Sequence, residues 1–119
     1  MVIKQINWLG KDEAVVTISD GKFEIIAFAH PFKGNINNKL KEPLLCLSCD
    51  EIKRANKAKF KVIKLNNGFE QYFCAEVIDI KSNIVKVGKI KIELDSNLPK
   101  DIKNAEFITF KCGRLDILI

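Results

Sequence analysis

The sequence predicts a small all-β protein, mainly antiparallel, closed into a barrel or sandwich of about eight strands with one short helix near residues 49–58. Three observations carry that expectation. Runs rich in Val, Ile and Phe alternate with polar residues at a period of two. Turn residues punctuate them at Asp20-Gly21, Asn66-Asn67-Gly68, Lys81-Ser82-Asn83 and Gly88. Only one segment, beginning at Ser48, has the chemistry of a helix start.

Lys4–Leu9 reads as a first strand anchored by Trp8 and broken at Gly10-Lys11-Asp12. Ala14–Ile18 and Phe23–Ala29 flank Ser19-Asp20-Gly21-Lys22, where Asp-Gly supplies the positive φ that a tight hairpin turn demands. On the second of these strands Phe23, Ile25, Ala27 and Ala29 share one face, and Ile26, Phe28 and His30 the other, so both faces should be covered. Residues 30–35 form a loop, because Pro31 lacks the donor a central strand needs. Leu44–Leu47 is the next strand.

Ser48-Cys49-Asp50-Glu51 has capping-box spacing, with Ile52 and Ala55 on one helical face beyond it. Lys59–Leu65 and Phe69–Ile80 pair as a second hairpin, followed by Ile84–Val87 and a corner at Gly88. Ile90, Ile92 and Leu94 then alternate with Lys89, Lys91 and Glu93, which places the first set inside and the second in water. Pro99 marks a loop, Glu106–Cys112 is a strand, and the apolar Leu115–Ile119 should dock on the body.

The element order resembles the layout of an OB-fold barrel over roughly residues 3–80, on order alone and without a diagnostic motif. A pseudo-duplicated meander is the other organisation. Ala14–Cys49 loosely parallels Ala75–Cys112, a match that sets Cys49 against Cys112 and conflicts with a helix starting at Ser48.

The 119 residues suit a single domain, 1–119, with 47% hydrophobic and 29% charged residues. No apolar run approaches a bilayer span, and the N-terminal residues are too polar for a signal peptide core, so a cytoplasmic protein without membrane contact is expected. The net charge of +5 is spread along the chain, and 18 of the 20 cations are Lys, which weakens any case for base reading by Arg.

Cys46-Leu-Ser-Cys49 has CxxC spacing, and Cys74 and Cys112 stand singly in strands. A zinc site would need all four to converge, and a redox motif would need a βαβ setting. Four buried free thiols are the expectation, and no metal or other cofactor is implied. His30 has no neighbour in sequence that would make it a catalytic base. No nucleophile elbow or phosphate loop is present, so enzymatic chemistry is not expected.

The charge run from Lys53 to Lys64 holds six cations and no acid. Lys53, Arg54, Lys57, Lys59, Lys61 and Lys64, with Phe60 and Tyr72 as stacking surfaces, form the candidate binding set. The sequence therefore points to a non-catalytic binding module acting through a protein partner, of accessory, inhibitor or immunity type. Single-stranded nucleic-acid binding through residues 53–64 is the alternative.

Overall fold

The computed structural model describes residues 1–66 and 68–117. The described residues form nine strands and no helix: β1 (Val2–Trp8), β2 (Ala14–Ser19), β3 (Glu24–Ala29), β4 (Leu44–Arg54), β5 (Lys61–Lys64), β6 (Gln71–Asp79), β7 (Ile84–Val87), β8 (Ile90–Leu94) and β9 (Phe107–Asp116). They run in the order β1-β2-β3-β9-β4-β8-β7-β6-β5, with a further β9–β6 pairing. That last pairing closes β9, β4, β8, β7 and β6 into a five-stranded barrel, leaving β5 as an added edge strand. The barrel pairs are antiparallel except β4–β8. A closed barrel is thus formed, but from residues 44–116 rather than 3–80. The N-terminal meander lies beside it instead of forming one of two matched halves.

β9 is the hub because it satisfies both of its backbone edges along its length. It pairs with β4 from Leu45↔Asp116 to Arg54↔Ile108 and with β6 from Gln71↔Cys112 to Glu76↔Phe107. Where β6 runs out, β3 takes over through a parallel bridge at Phe28↔Asp116. The next position on the β3 edge is filled by a side chain. The buried Gln71 amide donates through Nε2 to the Ile26 carbonyl at 2.9 Å, and its Oε1 accepts the Ile26 N–H at 3.0 Å. An amide has both groups a strand partner would offer, so Gln71 substitutes for one rung of the sheet.

Asp20 makes the second tie between meander and barrel. Its Oδ1 accepts the N–H groups of Lys22 and Phe23, and its Oδ2 reaches the Lys89 N–H at 2.8 Å. Gly88, at φ +60°, makes that approach possible, since a Cβ there would stand 2.2 Å from Asp20 Oδ2. The positive φ expected of the hairpin turn falls on Gly21, at 97°.

The alternation read from the sequence fixes the core. Ile25, Ala27 and Ala29 are buried, as are Ile90, Ile92 and Leu94, while Lys89 and Lys91 are exposed and Glu93 is half-buried. Phe73 and Phe110, fully buried with ring centroids 5.4 Å apart, fill the barrel interior. Meander and barrel share one core. Trp8 is not an anchor: it is 53% exposed and tilts over the buried Phe32, which supplies the anchoring instead. Leu115 and Ile117 are buried, whereas Leu118, Ile119 and the turn residue Asn67 lie outside the described residues.

The helix expected near 49–58 does not form. β4 continues through Arg54, paired with β9, and Ala55 N–H still reaches the Phe107 carbonyl. The residues that resemble a capping box serve an irregular strand. Ser48 and Glu51 take positive φ (56° and 54°), and a bulge separates Asp50 from Lys53. Asp95 accepts the N–H groups of Ser48 and Cys49, and Asp50 accepts that of Glu51. Asp, Ser and Glu meet orphan backbone donors equally well at a helix start or a bulge; β9 alongside decides for the bulge.

Candidate functional site

Residues paired in register share a face of a sheet, which sorts the charge run. Lys61 opposes Cys74, Cys74 opposes Thr109, and Thr109 opposes Lys53, giving one cross-strand row over β5, β6, β9 and β4. Tyr72 stands two residues from Cys74 on the same face. The chain between β4 and β5 crosses this row and roofs a groove of about 310 Å³ lined by Ala55, Asn56, Lys57, Lys59, Lys61, Tyr72, Cys74 and Thr109.

Lys57, Lys59 and Lys61 are exposed, and no ion pair engages them among the described residues. Three exposed lysines lining one groove with Tyr72 attract anionic groups from water, with a strength that salt screens. The groove floor is less polar. Cys74 is buried, its Sγ 3.9 Å from the Lys57 carbonyl, and burial raises its thiol pKa so that it stays protonated.

The other candidates are drawn elsewhere. Lys64 lies three residues from Lys61 on β5 and therefore points to the opposite face, opposing Gln71. Arg54 is consumed within the fold: its Nε donates to Glu106 Oε2 at 2.6 Å and its Nη2 to the Asp101 carbonyl at 2.9 Å. Glu106 accordingly holds the guanidinium pKa above its usual value, and Arg54 holds the Glu106 carboxyl below its own. Phe60 packs against Phe107 and Phe23, at 5.2 and 5.9 Å between centroids, and anchors the crossing segment.

Arg114 is occupied too, paired with Asp116 at 2.6 Å and lying over the Phe28 ring. Sequence reasoning missed Thr109 and Cys74 as groove residues because only the register of β5, β6 and β9 brings them beneath the lysines. Lys111, in the row of Tyr72, is paired with Glu70 at 3.2 Å.

Cys46, Cys49 and Cys112 lie on the core side, away from Cys74, so a four-thiol zinc site is ruled out by geometry. Among the described residues no group of three or more His, Cys, Asp or Glu is arranged to hold a metal ion. His30 sits exposed beyond β3, its Nδ1 4.0 Å from Glu13. Among the described residues no helix is long and apolar enough to cross a membrane.

Fold and site together define a small β-barrel with a lysine-rimmed groove. No protein-family model matches the chain, and neither a curated protein nor a solved structure matches it.

Proposed function

We propose that this chain is a non-catalytic binding module that engages a protein partner through an acidic segment or surface laid across the groove of Lys57, Lys59, Lys61 and Tyr72. The observation that carries this reading is the convergence on one concave face of three exposed lysines that no ion pair engages among the described residues, while both arginines are engaged in ion pairs. Nucleic-acid readers rely on planar Arg forks and free aromatic platforms. Here Arg54 and Arg114 are occupied, and Phe60 and Phe69 pack edge-on against other rings. Lysines tolerate the irregular carboxylate spacing of an acidic protein surface. An inhibitor or immunity-type role suits such a surface. A cytoplasmic setting suits four cysteines that are all free.

One feature favours the second reading, single-stranded nucleic acid: Tyr72 lies within the groove, where a base could stack while the lysines track phosphates. A single comparison separates the two. The full chain and a Lys57→Glu/Lys59→Glu/Lys61→Glu variant are titrated with a poly-glutamate peptide and with an oligo-dT strand at low and moderate salt. Binding of the peptide by the native chain, lost in the variant, supports the protein reading. Preference for oligo-dT transfers the groove to the second reading, and indifference to the variant removes the groove from both.

A further inference from the structure

The three core-side cysteines meet at the seam between β4 and β9. Cys49 and Cys112 are direct register partners. The Cys49 N–H is given to Asp95 Oδ1 at 3.1 Å, so the pair does not exchange the two reciprocal backbone bonds of a hydrogen-bonded rung. Non-hydrogen-bonded antiparallel partners sit with Cα atoms about 4.5 Å apart, within the roughly 4.4–6.8 Å span that a disulfide bridges.

Gly113 assists the approach. A Cβ on it would meet the Ser48 Cβ at 2.8 Å, so its absence lets the irregular stretch of β4 lie close on β9. Cys112 is fully buried, its Sγ 3.9 Å from the Leu47 carbonyl, and Cys49 is partly exposed. The buried Cys46 thiol lies beside those of Cys112 and Cys49, and these contacts together with burial push its pKa up; its register partner on β9 is Leu115, not a cysteine.

We infer that Cys49 and Cys112 form a reversible redox pair, oxidised by low-molecular-weight disulfides. The partly exposed Cys49 thiolate attacks one sulfur of the external disulfide, and the first thiol leaves with a proton. Cys112, surrendering its proton, then attacks Cys49 Sγ, and the second thiol leaves. Two protein thiols become one disulfide, and one external disulfide becomes two thiols. The bond staples β4 to β9 just before the bulge that delivers Lys53 to the outer face. Cys74, on the other face of the sheet, takes no part.

The test uses the reduced full-length chain, folded by circular dichroism and incubated with glutathione disulfide. Free thiols are then titrated and peptides mapped without reductant. The expected result is a fall from four free thiols to two, a Cys49–Cys112 cross-link, and reversal by dithiothreitol. Cys74→Ser should leave the cross-link intact, and Cys112→Ser should trap glutathione on Cys49. Four persistent thiols, a link through Cys46, or only intermolecular links would overturn the assignment. Because the mapping is made on the native chain, it stands even where a variant does not fold.

Discussion

Replacing Gln71 with Met keeps most of the side-chain volume and removes both hydrogen bonds to Ile26, at 3.0 and 2.9 Å. Gln71 is 2% exposed, so water cannot readily replace its amide. Each bond contributes about 1 kcal/mol net, and each Ile26 group left unsatisfied at a half-buried position costs up to about 2 kcal/mol, so a loss of about 2–4 kcal/mol is expected. For a chain of this size that is on the order of 10–15 °C in melting temperature. Urea denaturation followed by circular dichroism measures it. Gln5→Met, at an exposed position of β1, is the control and should fall within about 0.5 kcal/mol of the native chain. Hydrogen exchange should also show the Ile26 amide losing protection. A Gln71→Met chain as stable as the Gln5→Met control would refute the idea that this amide stands in for a strand.

Gly88→Ala should destabilise by about 2 kcal/mol or more, because the new Cβ collides with Asp20 Oδ2 and the backbone keeps a positive φ; an unchanged urea midpoint would contradict the tie. Phe110→Ala removes a fully buried ring packed at a tilt against Phe73 and should cost about 3–5 kcal/mol by the same assay.

Stability should also fall on the acid side. Burial of the Asp20 carboxyl works to raise its pKa, but the backbone donors led by Phe23 and Lys89 outweigh it and hold the pKa below the ordinary 3.8. Arg54 holds Glu106, and Asn66 with Lys111 holds Glu70, below the ordinary 4.5. Groups lowered in the folded state contribute stability above these ordinary values and lose it as pH drops through them and on toward the folded values. Urea midpoints measured from pH 6 down to 3 should therefore decline, and Asp20→Asn should flatten part of that decline. The Lys57→Glu/Lys59→Glu/Lys61→Glu variant should melt close to the native chain, since the three side chains are exposed and no ion pair engages them among the described residues; a large drop would mean the lysines are structural.

The hairpin at Asp20-Gly21, the alternation of Ile90, Ile92 and Leu94, and the all-β class were legible because each rests on contacts between near neighbours in the chain. A period of two and a residue that tolerates positive φ are local properties, and no distant partner is needed to express them. The charge run was legible as composition, yet its sorting was not. Lys61 faces the groove and Lys64 faces away, Arg54 is taken by Glu106 from more than fifty positions on, and Thr109 arrives beneath the lysines through β9.

The Ser48–Glu51 stretch shows where local reading stops. Its polar residues can satisfy loose backbone donors in a helix or in a bulged strand, and the intrinsic preferences between the two differ by less than one strand pairing contributes. β9, sixty residues further along, supplies that pairing and Asp95 takes the leftover N–H groups, so the segment is extended. Local pattern was enough for the alternation that buries Ile25, Ala27, Ala29, Ile90, Ile92 and Leu94 and for the turn at Asp20-Gly21, but not for the exposure of Trp8 or the path after Ser48. Tertiary structure alone decided which strand closes the barrel, which lysines share a face and which cysteines meet, because those depend on register between strands far apart in the chain.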